Sequence, residues 1–153
     1  MRRVLGLGLA LLLLAVPACN RAANEPETFS VKAKPTGSPA GYLQVGPIPL
    51  VAGQVNRVEI TVFYKRSERP AAKLKYKVEL SAPKDLKVTT VGRATSWEVE
   101  ESLTTKDAGY TLSQTILVEV PANAAPGERE VTVTVIPESA KPVPSTLKFK
   151  VGG

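Results

Sequence analysis

Several segments of the chain alternate apolar and polar residues with a period of two, and this alternation constrains the fold more than any other feature. The clearest example is residues 74–80 (LKYKVEL), in which four apolar residues are separated by two lysines and a glutamate. Only an extended strand places all four apolar side chains on one face. The same alternation occurs in residues 58–64, 112–120, 131–135 and 147–151.

These segments predict an all-β domain of about seven strands. No ten-residue stretch beyond the first twenty residues has strong helical periodicity, and the 13 prolines and 11 glycines suit turns between short strands. A sandwich or a barrel is consistent with this spacing. Because several connections are longer than a two-residue hairpin turn, the sequence favours a β-sandwich with Greek-key connections. The chain has one cysteine, so the core must be stable without an internal disulfide.

The first nineteen residues have the pattern of an export signal that ends at the single cysteine. Arg2 and Arg3 precede an apolar run, Val4–Val16, and the run ends in Val-Pro-Ala-Cys. Val16–Cys19 resembles the lipobox of bacterial lipoproteins. The resemblance implies cleavage before Cys19 and acylation of its sulfur with membrane-anchoring chains such as palmitate. The alternative is an ordinary secretory signal with an incidental cysteine.

Three regions are therefore predicted along the chain. Residues 1–18 form a lipoprotein signal peptide, and residues 19–40 form a flexible tether, with a possible first strand at Phe29–Val31. Residues 41–153 form an immunoglobulin-like β-sandwich. Asn20 follows the lipidated position. In Gram-negative lipoproteins this residue type resembles an outer-membrane address, so the expected location is the cell envelope, in the outer membrane of a Gram-negative host.

Two sequence segments carry a resemblance to a known domain type. Residues 80–88 (LSAPKDLKV) and 118–133 (VEVPANAAPGEREVTV) resemble galactosidase-associated and CARDB-type bacterial immunoglobulin-like domains. The resemblance implies the fold and supplies no catalytic residue to transfer. The chain differs from those domains in a longer insertion, Gly92–Gly109, which contains no clear strand pattern.

Composition argues against several classes of function. The chain has no histidine, which removes the commonest general base and a leading metal ligand. Its net charge of +6 is modest, and no dense basic stripe or aromatic platform indicates nucleic-acid binding. We therefore expect no catalytic activity, no cofactor and no metal site.

Two features are candidates for binding. Lys73, Lys75 and Lys77 share one face of a predicted strand and, with Arg66 and Arg69 in the preceding segment, predict a basic patch for an anionic glycan or phosphate. The alternative is an edge strand that its lysines protect from aggregation.

The second candidate is Trp97, the only tryptophan, in the Gly92–Gly109 insertion. On a loop it would stack on a sugar or anchor a partner, whereas the alternative is that it covers one end of the core together with Val99. The sequence thus predicts a non-catalytic, lipid-anchored envelope protein that acts as a protein-interaction, assembly or structural module. The alternative function is a glycan-binding module that uses Trp97 and the basic face.

Overall fold

The computed structural model describes residues 27–67 and 70–152, and this part of the chain contains nine strands and no helix. The all-β prediction is confirmed, with two more strands than the estimate of seven. The strands are β1 (Thr28–Pro35), β2 (Ile48–Leu50), β3 (Val55–Lys65), β4 (Ala72–Ser81), β5 (Lys87–Thr90), β6 (Ser96–Leu103), β7 (Gly109–Glu119), β8 (Gly127–Pro137) and β9 (Val143–Val151).

The strands form the two sheets of a β-sandwich. The first sheet has the order β1-β3-β7-β5 and the second has the order β2-β9-β8-β4-β6. Neighbouring strands are antiparallel, except that β2 runs parallel to β9. The connections β3–β4 and β7–β8 both cross between the sheets, so that β7 lies beside β3 and β8 lies beside β4. This is the predicted Greek-key arrangement.

The alternating segments bury one face of each strand against the other sheet. In β4 the four inward side chains, at positions 74, 76, 78 and 80, are at most 9% exposed. Phe149 on β9 is the largest of the fully buried side chains, and most of the other fully buried side chains are valine or isoleucine. The core is therefore aliphatic and is held together without a disulfide, as the sequence predicted.

The sandwich begins earlier in the chain than position 41. The possible strand at Phe29–Val31 is part of β1, which pairs with β3 along its whole length, from Thr28 opposite Lys65 to Pro35 opposite Val58. Residues 28–35, assigned from the sequence to the tether, thus belong to the first sheet. Residues 1–26, with the signal peptide and Cys19, lie outside the described residues.

The Gly92–Gly109 insertion contains a strand, so the sequence-based assignment of this segment as strandless is wrong. β6 pairs antiparallel with β4 from Glu79–Ser96 to Ala72–Leu103. The alternation of Trp97, Val99 and Leu103 is interrupted at the inward-facing Glu101, which hid the period of two. Glu101 is tolerated there because the Tyr110 hydroxyl donates a 2.8 Å hydrogen bond to its Oε1.

β5 and β6 act as one edge strand that changes sheets. β5 pairs with β7 in the first sheet, and β6 pairs with β4 in the second. Three hydrogen bonds close the turn between them. The amide of Thr90 donates to the carbonyl of Ala94, the amide of Arg93 donates to the carbonyl of Thr90, and the amide of Ala94 donates to the Thr90 hydroxyl. Arg93 has a φ of 64°, which reverses the chain direction locally.

Candidate functional site

Lys73, Lys75 and Lys77 all face outward on β4, as predicted, but β4 lies inside its sheet between β8 and β6. The interpretation of this strand as a lysine-protected edge is therefore wrong. The outer edge is β6, and its glutamates at positions 98 and 100 lie opposite Lys77 and Lys75.

Ion pairs cover much of this basic strand. Glu100 accepts from Lys73 at 3.2 Å and lies 3.8 Å from the Nζ of Lys75, while Lys77 lies 2.7 Å from a carboxylate oxygen of Glu79. The hydrogen bond from Lys73 and the charge of Lys75 lower the pKa of Glu100, and the hydrogen bond to Glu79 raises the pKa of Lys77. The outer face of β4 and β6 thus carries paired charges of both signs rather than a free basic patch.

Replacing Lys73 and Lys75 by glutamine is expected to raise the pKa of the Glu100 carboxyl towards its ordinary value of 4.5, because the hydrogen bond and the neighbouring charge both disappear. An NMR titration of the side-chain carboxyl measures this change. Lys148→Gln combined with Lys150→Gln, on the same sheet but distant from β6, is the matched control and should leave this pKa unchanged. A Glu100 pKa at its ordinary value in the unsubstituted protein would contradict the pairing with Lys73 and Lys75.

Arg66 does not belong to the basic surface. It is 5% exposed, and its guanidinium donates to three main-chain carbonyls: Asp107 at 2.9 Å, Pro70 at 2.7 Å and Thr104 at 2.6 Å. Asp107 in turn accepts from the amide and hydroxyl of Thr104, and these hydrogen bonds lower the pKa of Asp107. Arg66 therefore fixes the loops at one end of the sandwich. Arg69 lies outside the described residues.

Trp97 lies in β6 opposite Val78, not on a loop. Its ring is partly buried against the core, next to Val99, which is 8% exposed. Its Nε1 is buried and has no hydrogen-bond partner within residues 27–67 and 70–152. The geometry fits the alternative in which Trp97 covers the core together with Val99.

An aromatic cluster closes the same end of the core as Arg66. The ring of Phe29 lies 4.9 Å from that of Tyr64 and 5.4 Å from that of Tyr76. Burial is the largest cause that raises the pKa of each tyrosine to about 12. Both phenols are therefore protonated at neutral pH, which suits packing and not proton transfer.

A loop that the sequence did not reveal as a candidate holds apolar side chains in solvent. This segment, residues 42–46, is here named the apolar loop; Leu43 is 70% exposed and Val45 is 83% exposed. Gly41 and Gly46 have positive φ angles of 77° and 78°, which position the ends of the loop. The Gln44 amide donates to the carbonyls of Val45, Gly46 and Pro47 at 3.2–3.4 Å.

A groove of about 400 Å³ separates the apolar loop from β1, β3 and β9. Three lysines line it, Lys32, Lys34 and Lys148, and no acidic side chain does. Lys34 is 3.4 Å from Glu59, and Lys32 lies 5.5 Å from the centre of the Phe63 ring. The remaining lining includes Val31, Leu43 and Ile48, so the groove is lined by both apolar and basic side chains.

No group of three or more histidine, cysteine, aspartate or glutamate side chains in residues 27–67 and 70–152 is placed to hold a metal ion. None of these residues forms a helix with the length and hydrophobicity that crossing a bilayer requires.

Comparisons with known proteins place the chain in no family. No protein-family model matches it, and no curated protein is similar to it in sequence. Among solved structures, a family 123 glycoside hydrolase from Clostridium perfringens aligns with a TM-score of 0.47 and 14% identity, over 82% of this chain and 28% of the hydrolase.

A β-glucosidase from Listeria innocua aligns with a TM-score of 0.40 and 19% identity, over 83% of this chain and 16% of the glucosidase. The periplasmic chaperone SfaE aligns with a TM-score of 0.39 and 9% identity, over 80% of this chain and 57% of the chaperone. This chain thus spans less than two thirds of each of these proteins.

Proposed function

We propose that this protein is a non-catalytic, lipid-anchored component of the cell envelope, whose immunoglobulin-like sandwich acts as a protein-interaction, assembly or structural module. The observation that carries the proposal is the short distance in sequence between Cys19, at the end of the lipobox-like motif, and Thr28, where the sandwich begins. Nine residues span at most about 32 Å when fully extended. A lipid on Cys19 would keep the folded domain close to the membrane surface.

The side chains of the described residues support a non-catalytic role. The chain has no histidine, and the buried tyrosines stay protonated at neutral pH. Glu100 is paired with Lys73 and Lys75 on an open face. Glycoside hydrolysis needs two carboxyl groups that face each other across a cleft. A glutamate that is paired with lysines on an open face does not form such a site.

The interaction role has more support than the glycan-binding alternative. A glycan site was expected to combine Trp97 on a loop with a free basic face. Trp97 lies in β6 against the core, and Lys73 and Lys75 share the carboxylate of Glu100. The two most exposed large apolar side chains, those of Leu43 and Val45, instead lie in the loop at residues 42–46, on the opposite side of the sandwich from β6. Exposed apolar groups rimmed by polar ones are typical of contact surfaces.

Replacing Cys19 by serine is expected to abolish incorporation of labelled palmitate and to move the protein from the membrane fraction to the soluble fraction. The physical reason is that the thiol is the only acylation site of this kind in the chain, and stable anchoring requires two or more acyl chains. Metabolic labelling and membrane fractionation of cells expressing the full chain measure both effects.

Ser38→Ala, outside the motif, serves as the control and should leave labelling unchanged. If the unsubstituted protein is exported without any lipid label, the lipid anchor at Cys19 is rejected. If the protein is labelled and lies in the membrane fraction, the anchor is supported. A sucrose-gradient separation of inner and outer membranes then tests the outer-membrane location that Asn20 suggests.

A further inference from the structure

We propose that the apolar loop at residues 42–46 and the lysines of the neighbouring groove form a surface that docks directly on an anionic lipid bilayer. This inference deepens the proposed function, since it rests on an anchor at Cys19 that brings the domain to the membrane. The occupant is the headgroup region of a bilayer that contains phosphate-bearing anionic lipids.

Apolar side chains are exposed on a loop that hydrogen bonds hold in place. Leu43 and Val45 are 70% and 83% exposed, and Tyr42 beside them is 44% exposed. The Tyr42 amide donates to the Pro39 carbonyl at 3.1 Å, and Gln44 ties together the following carbonyls. Because these hydrogen bonds hold the loop in shape, insertion of its tip costs little further ordering. Aliphatic and tyrosine side chains are both favoured at the interface between headgroups and acyl chains.

The groove beside the apolar loop is positively charged. Lys32, Lys34 and Lys148 line the groove with no acidic side chain among the lining residues. Lys32 and Lys148 have no carboxylate partner within 4 Å among the described residues, in contrast to Lys73 and Lys75 on the other side of the sandwich. Each lysine near an anionic bilayer strengthens binding by about fivefold.

The segment between Cys19 and Thr28 is long enough for the groove side of the sandwich to lie on the membrane. The groove lies beside Val31–Lys34 in β1, which are three to six residues beyond Thr28 and so about 10–20 Å from the start of the sandwich. The segment between Cys19 and Thr28 extends to at most about 32 Å. The side of the sandwich formed by β1 and the apolar loop can therefore lie on the membrane while the acyl chains on Cys19 are inserted in it.

The same charges argue against a second copy of the chain as the occupant. A two-fold contact brings the same patch of both copies together. Lys32 and Lys148 of one copy would then approach the same lysines of the other, with no carboxylate in the groove lining to compensate them. An anionic surface satisfies the charge of this groove, whereas a two-fold dimer does not.

A single-cysteine fluorescence experiment tests the insertion of the loop. The mature chain from residue 19 onward is prepared with Cys19→Ser, which removes its only cysteine and its lipid and retains every strand. Leu43→Cys then carries an environment-sensitive dye. We expect a blue shift of the dye on addition of phosphatidylcholine–phosphatidylglycerol vesicles, and little change with phosphatidylcholine alone. Val91→Cys, at 53% exposure on the opposite edge of the sandwich, is the matched control and should not respond.

Vesicle co-sedimentation of the same unlipidated chain tests which residues carry the binding. Leu43→Ser combined with Val45→Ser is expected to lower the partition coefficient by at least tenfold, because two aliphatic side chains no longer enter the bilayer. Lys32→Gln combined with Lys148→Gln should lower it by more than tenfold, and added salt should have the same direction of effect.

Val55→Ser with Val91→Ser, and Lys84→Gln with Lys106→Gln, are the matched controls for apolarity and for charge. Each pair should leave the partition coefficient within about twofold, and a circular-dichroism spectrum confirms that every variant folds.

Three outcomes would overturn the proposal. They are no binding of the unsubstituted chain to anionic vesicles, equal losses in the test and control variants, and a concentration-dependent dimer that Leu43→Ser abolishes. The last result would assign the loop to self-association. Because the chain in this experiment has no lipid, the result is independent of palmitate labelling at Cys19. Failure of the loop to bind membranes is therefore distinguished from failure of Cys19 to carry a lipid.

Discussion

Replacing Phe149 by alanine is expected to lower the free energy of unfolding by about 3–5 kcal/mol. Phe149 is 0% exposed and is the largest of the side chains that are fully buried. It lies in β9 with Ile48 of β2 and Arg129 of β8 at the paired positions on either side, and its side chain belongs to the hydrophobic core. The alanine variant would leave a cavity among β-branched side chains that have little freedom to collapse into it.

Urea unfolding, followed by far-ultraviolet circular dichroism, measures this loss. Phe149→Leu is the matched variant, since it retains most of the buried apolar volume and is expected to cost less than about 1.5 kcal/mol. A loss below about 1 kcal/mol for Phe149→Ala would mean that this ring is not enclosed as the structure shows. Because a sandwich of this size has a small margin of stability and no disulfide, the alanine variant is also expected to be partly unfolded at physiological temperature.

The strands that could be predicted from the sequence are those whose alternation is uninterrupted. β3, β4, β8 and β9 each contain a run of three or four buried apolar residues at every second position. β2 was missed because it has three residues, with Pro49 in the middle, and is too short to establish a period. β6 was missed because Glu101 occupies an inward position. In both cases the partner that stabilises the strand is distant in sequence.

The direction of the lysines on β4 could be predicted, but their environment could not. Alternation places Lys73, Lys75 and Lys77 on the outer face whatever the neighbouring strand is. Whether they form a free patch depends on the strand that pairs with β4 and on its register. Only the pairing with β6 brings Glu100 within 4 Å of two lysines, and this pairing depends on a strand that the sequence did not reveal.

The apolar loop illustrates the opposite difficulty. Residues 42–45 (YLQV) have the composition of a buried strand, and nothing local distinguishes them from one. Their exposure follows from the glycines at positions 41 and 46, whose positive φ angles turn the chain at both ends of the loop. Hydrophobicity predicts burial only on average, so an exposed apolar loop becomes visible only in the folded structure.

Arg66 is the candidate whose role changes most between sequence and structure, and it leads to the second large prediction. Arg66→Ala is expected to lower the free energy of unfolding by about 2–4 kcal/mol, because a charged donor that satisfies three carbonyls is removed from a buried position. The carbonyls of Asp107 and Pro70 would lose the guanidinium donor, the Thr104 carbonyl would keep only the Asp107 amide, and the loop between β6 and β7 would loosen. Thermal or urea unfolding measures the loss.

Two further variants separate this structural role from a role in binding. Arg66→Met retains the apolar part of the side chain but no donor, and it should lose nearly as much stability as Arg66→Ala if the hydrogen bonds matter more than packing. Lys65→Ala, at the neighbouring exposed position, should change stability by less than about 0.5 kcal/mol. Because the acceptors are carbonyl groups rather than carboxylates, the loss in Arg66→Ala should vary little with salt. A residue that served only to attract an anionic ligand would leave unfolding unchanged, so the stability of this one variant decides between the two roles.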